Sequence, residues 1–134
     1  MDYTDELRKI EAEYPHLSKT GFKDWHPMNE RDYVSDRWAA RYATRAALSS
    51  GDGPMQFARA IEWLRKFKPR KTVSKESSYA LKHWAEREQG DYVSNGALIA
   101  AALFLGLPVR HNFGTPNANI GIGRRIAASE GRQR

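Results

Sequence analysis

The residues able to do chemistry in this chain are few and widely spaced. There are four His and no Cys. Disulfides, thiol catalysis and Cys-ligated zinc or iron–sulfur centres are therefore excluded. His16, His26, His83 and His111 fall in different segments. His83 and Glu86 stand three apart, a spacing that sets two ligands on one helix face. No second pair accompanies them, and a metal site needs three or four converging ligands. Ser77 and Ser78 lie within helical reach of Lys82, which is the spacing of a Ser–Lys nucleophile pair. A solvated helix surface explains that spacing better. Gly51-Asp52-Gly53-Pro54 opens a helix whose free amides suit an anion, but the Gly spacing and Lys-Ser/Thr of a P-loop are missing. Gly121-Ile122-Gly123-Arg124-Arg125 sets two Gly beside two Arg, outside any strand–helix context. The expectation is a protein that is not an enzyme and carries no metal or cofactor.

Charge points elsewhere. The formal net charge of +6 is unevenly distributed. Residues 1–57 carry 8 Lys/Arg and 10 Asp/Glu, whereas residues 58–134 carry 14 and 6. Arg65 to Lys75 alone holds six positive charges and no acid. A positive half of this kind suits a polyanion, most often nucleic acid. Small hydroxyl and basic residues at a helix start suit phosphates as well, and Ser74, Lys75, Ser77 and Ser78 precede Lys82. The expected nucleic-acid contacts are Lys66, Lys68, Arg70, Lys71, Lys75, Lys82, Arg110, Arg124 and Arg125. The function expected is phosphate-backbone binding to DNA or RNA, without catalysis and with a regulatory use in view.

The alternative partner is a protein, for instance a nucleic-acid-handling complex that this chain would inhibit or adapt. Arg37, Arg41 and Arg45 recur every four residues, beside a row formed by Val34, Trp38 and Tyr42. Trp, Tyr and Arg dominate interface hot spots, so Arg37, Trp38, Arg41, Tyr42 and Arg45 are the residues expected at a partner, with Trp25 and Trp63 as further aromatic candidates. The bland account keeps the aromatics in the core and the arginines in solvent. Ala39, Ala43 and Ala46 offer a small-residue face to a helix of this chain or of a second copy, so a homodimer is an open expectation.

The elements that must position these residues read as helical nearly throughout. Thr4 caps a first helix ended by Pro15. Residues 16–28 read as a loop, and a second helix runs from Asn29 or Glu30 to Leu48. Pro54 opens a third helix that reaches Phe67 or Lys68, with Phe57, Ile61 and Leu64 on one face. Ser74 or Thr72 caps a fourth through Glu88, closed by Gly90. Ser94 caps a fifth, and Gly106 ends it. The middle of that fifth helix, Ala97 to Leu105, is apolar on every side, which belongs in a core. Its start, Tyr92 to Gly96, is the only part with polar groups left for contact.

Beyond Pro108 the period changes. Val109, His111 and Phe113 alternate with polar residues, a turn follows at Gly114 to Asn117, and Ile120 and Ile122 alternate again. The reading is a mainly α, single-domain bundle over 1–123, with about five helices around a central one at about 94–106. A small β-hairpin at about 109–122 and a basic tail over 124–134 complete it. Helices followed by a hairpin match a winged-helix arrangement in outline, with Arg110 and Asn117 on the wing. A standard helix-turn-helix centred on Gly106 is rejected, because Gly114 and Pro116 break the stretch where a recognition helix should start. The stretch Val93–Val109 is too short, and too rich in Gly, Ser and Asn, for a membrane span. Met1 to Glu6 do not resemble a secretory leader. A cytoplasmic location is expected.

Overall fold

A computed structural model describes residues 2–22 and 47–127. The described residues form a mixed, helix-rich fold of four helices and three small antiparallel strand pairs. In chain order these are α1 (Thr4–Glu13), β1 (Leu17–Ser18), β2 (Gly21–Phe22), α2 (Gly53–Leu64), β3 (Phe67–Pro69), α3 (Ser78–Gln89), α4 (Asn95–Phe104), β4 (Val109–His111), β5 (Ala118–Ile120) and β6 (Ile122–Arg125). The helix expected from residue 29 to Leu48 lies largely outside the described residues, as do Arg37, Trp38, Arg41, Tyr42 and Arg45.

The apolar run expected in the fifth helix forms α4, and most of it enters the core. Ser94 caps α4 through its hydroxyl, which accepts from the Ala97 amide at 3.1 Å. Ala97 to Ala102 are all buried, and Leu98 and Ile99 are fully so. Each such Leu or Ile contributes roughly 1.5–3 kcal/mol by leaving water. Phe57, Ile61 and Leu64 of α2, Leu7 and Ile10 of α1, and Leu81 and Ala85 of α3 join it in one apolar cluster. Among the described residues no helix is long and apolar enough to cross a membrane.

Three helix ends differ from the sequence reading. Thr4, expected as a cap, is the first residue of α1, with Tyr3 at the N-cap and no side-chain cap bond. α2 stops at Leu64, so Phe67 leaves the helix and enters β3. α3 is capped by Ser77, whose hydroxyl accepts from the Ala80 amide. Ser74 is instead buried, donating its hydroxyl to the Ile120 carbonyl and tying the basic loop to β5. Gly90 does close α3 in the left-handed conformation, at φ 76°.

The strands form three separate pairs. β4 and β5 run antiparallel, with Val109 opposite Ile120 and His111 opposite Ala118. At Gly121 the chain changes partner. Its amide donates to the Pro108 carbonyl at 2.9 Å, while its carbonyl accepts from the Arg70 amide at 3.1 Å. Beyond it β6 pairs with β3, Phe67 opposite Arg125 and Pro69 opposite Ile122, with an irregularity between them. The segment expected as the start of a tail is thus a strand as far as Arg125. Its partner is too distant in sequence for alternation alone to reveal the pairing.

Candidate functional site

Two regions carry the polar and charged residues that the sequence offered for contact. The first is the start of α4. It is closed. Asn95 is 6% exposed, and its side-chain amide donates to the Thr20 carbonyl and to Asn117 Oδ1, each at 3.0 Å, and approaches the Pro116 carbonyl at 3.4 Å. One side chain thereby joins α4, the β1–β2 turn and the turn before β5. The helix amides are spent as well. Gly96 donates to the Lys19 carbonyl at 2.9 Å, and Leu98 to the Ser94 carbonyl at 3.1 Å. Ser94's own amide is taken by Gln56 Oε1. Gly96 explains its own presence, because a Cβ there would sit 1.7 Å from the Ser18 carbonyl oxygen. Polar side chains that read as available are internal fasteners. Asn117, expected on a wing, is one of them.

The second region is the β3–β6 ribbon. It gathers charges from two distant parts of the chain. Lys66 flanks β3, Lys68 lies within it, and Arg70 and Lys71 follow; Arg124 and Arg125 lie on β6. The Ile126 amide donates to the Lys66 carbonyl at 2.7 Å, so the pairing extends past the strand ends. Alternation divides the two faces. Phe67 turns inward against Trp63 and Trp84, at ring-centroid distances of 4.8 and 5.2 Å. A Cβ at Gly123 would lie 3.2 Å from the Lys68 carbonyl oxygen, 3.5 Å from Arg70 Cγ and 3.8 Å from Lys68 Cβ, so the stems of these two basic side chains run close to a bare backbone. Lys66, Arg70, Lys71 and Lys75 are exposed.

A carboxylate fastens this ribbon to the helices. Glu88, at the end of α3, accepts from Trp63 Nε1 at 2.6 Å and from Arg125 Nη1. The Arg125 hydrogen bond, then the Trp63 one, hold the Glu88 carboxyl below its ordinary value. Arg125 also lies over the Phe67 ring, 5.8 Å from its centroid. Arg125 is therefore partly committed to structure, while Arg124 sits beside it on the exposed strand.

Two expected contacts are placed elsewhere. Lys82 is only 7% exposed, and its ammonium meets Glu86 Oε1 at 2.6 Å. It also lies 5.0 Å from the Tyr92 ring centroid and 5.9 Å from that of Tyr79. A buried cation needs such partners, and these hold Lys82 away from any phosphate at the ribbon. Arg110 is exposed on β4, in the other strand pair.

Among the described residues the histidines do not converge. His83 is exposed, and its Nδ1 is 3.9 Å from Glu86 Oε1. His111 Nε2 bonds the Thr115 carbonyl at 2.7 Å. Among the described residues no group of three or more His, Asp or Glu side chains is placed to hold a metal ion. Trp63 is fully buried and belongs to the core. The sequence reading missed the Trp63–Phe67–Trp84 cluster, although the four-residue spacing of Trp63 and Phe67 hinted at one side of it. Comparison of the chain with protein-family models, with curated proteins and with solved structures found no match.

Proposed function

We propose that this is a non-catalytic nucleic-acid-binding protein that grips the phosphate backbone through the β3–β6 ribbon and the loop after it. The observation that carries the reading is the antiparallel pairing of Phe67 with Arg125. It brings Lys66, Lys68, Arg70 and Lys71 beside Arg124, concentrating positive charge from two distant segments. A ribbon held by backbone bonds presents those cations at small entropic cost, and each phosphate neutralised releases condensed counterions. The same contacts carry no base-edge information, so sequence-independent binding is expected.

The test is a titration of duplex and single-stranded DNA and RNA at two salt concentrations. Binding that weakens steeply with salt supports the reading. Absence of binding at low salt, or indifference to salt, rejects it and turns attention to a protein partner. Charge reversal of Arg70 and Lys71 together should weaken binding evenly across sequences.

A further inference from the structure

α3 carries an exposed strip that the ribbon does not account for. Tyr79 is 54% exposed, and Tyr92, just past the helix end, is 58% exposed. Both rings lie near the Lys82 ammonium, their centroids 5.9 and 5.0 Å from it. Tyr79 meets His83 edge-on at 4.5 Å between centroids, and His83 is itself exposed. The next residue, Trp84, keeps about a third of its surface in solvent while touching Phe67 of β3. Tyr92, Tyr79, His83 and Trp84 thus lead from one side of α3 to the ribbon. Arg87 stands exposed beside His83, in the same shallow hollow as Ala80 and Glu86.

The acids along this strip are each met by a cation. Glu86 faces Lys82, Glu88 faces Arg125, and Asp91 lies 3.9 Å from Arg59. What remains for an incoming ligand is aromatic and positive. Lone exposed apolar residues need no explanation, but two exposed tyrosines gathered at one lysine, on the helix whose Trp84 packs on Phe67 of the cationic ribbon, are a different matter. A duplex buries its bases and offers such rings nothing to stack on. An unpaired strand offers a π-face at each base, and its phosphates suit Arg87 and the ribbon.

We infer that the ligand is single-stranded nucleic acid, laid from the β3–β6 ribbon across α3 with bases stacked on Tyr79 and Tyr92. The inference deepens the phosphate-binding reading and rests on it.

The experiment titrates the full chain with four labelled oligomers of equal length: single-stranded DNA, single-stranded RNA, their DNA duplex, and an abasic single strand with the same phosphates. The expected result is that base-bearing single strands bind about tenfold or more tighter than the abasic one. Tyr79→Ala with Tyr92→Ala should remove that difference and leave abasic affinity unchanged. Tyr79→Phe with Tyr92→Phe should restore it, since the rings remain. Both substitutions lie at exposed positions, and unchanged circular dichroism and melting identify folded variants. Equal affinity for abasic and base-bearing strands, tightest binding to duplex, or an unaffected Ala variant overturns the stacking inference. In each of those cases steep salt dependence leaves the ribbon reading standing. Failure of all four oligomers to bind at low salt overturns both.

Discussion

The start of α4 and the β3–β6 ribbon are both rich in polar atoms, but they use them in opposite ways. At α4 the groups are uncharged and mostly paired within the molecule: the Asn95 side-chain NH2 to Thr20 and Asn117, Gly96 to Lys19, Ser94 to Gln56, with Asn95 Oδ1 left buried without a partner. At the ribbon they are charged, and Lys66, Arg70 and Lys71 are exposed to solvent. A buried polar atom must find a partner inside the fold, or its desolvation is uncompensated. An exposed cation already has water and makes little difference to stability. Polar character alone therefore does not mark a contact surface. Charge of one sign gathered at the solvent boundary is the better guide, and it selects the ribbon.

Substitutions separate the two regions by the size of their effect on folding. The largest should come from Gly96→Ala. Its Cβ would lie 1.7 Å from the Ser18 carbonyl oxygen, which is backbone and cannot swing aside, and 3.0 Å from Leu48 Cδ2. Destabilisation upwards of about 3 kcal/mol is expected, read from urea denaturation. A stable Ala variant would show that the β1–β2 turn can retreat from α4. Next comes Asn95→Ala, which strips the Thr20 carbonyl and Asn117 of their shared donor. About 1–3 kcal/mol of stability should go with it, and a value near zero would break the picture of an internal fastener.

Glu88 stands between the two regions and should respond to pH. Its carboxyl lies below its ordinary value in the folded protein, chiefly through Arg125. The contribution is therefore complete at neutral pH, above the unfolded carboxylate range. It fades as pH falls through the lower folded value. Glu88→Gln should lower the denaturation midpoint modestly near neutrality and leave a smaller gap to wild type in acid. A gap that widens in acid would contradict the assigned pairing. The smallest effect on folding belongs to the ribbon. Lys66→Gln, Arg70→Gln and Lys71→Gln combined should shift stability by less than about 0.5 kcal/mol. The same variant should flatten the salt dependence of duplex binding by about 0.9 in log–log slope for each phosphate it no longer neutralises. If it unfolds the protein instead, the contrast between the two regions fails.

Much of the helical frame was legible in the sequence because its signals are local. The apolar run Ala97 to Leu105, the Ser94 cap and the Gly90 stop each lie within a few residues of the feature they set. The displaced boundaries are local competitions of another kind. Ser74 resembled a helix cap but satisfies the Ile120 carbonyl, and Phe67 continued the apolar face of α2 but was drawn into a strand beside Trp63 and Trp84. The candidate site was legible only as a set of charges. Lys66 to Lys71 and Arg124 were each identifiable by type, yet their meeting depends on a pairing that no short-range pattern encodes. The burial of Lys82 was hidden for a related reason. A lysine at a helix start reads as solvated until Glu86, Tyr79 and Tyr92 are seen around it.

The long separation between β3 and β6 also has a consequence in time. Pairing them encloses α3, α4 and the β4–β5 pair, so the loop can close cheaply only once those elements are in place. During synthesis the Lys66–Lys71 segment emerges well before its partner strand exists. At that stage its cations are strung along an unfolded chain rather than held on a ribbon. The gathered cationic surface is thus a late product of folding, and its appearance can serve as a clock for completion of the fold.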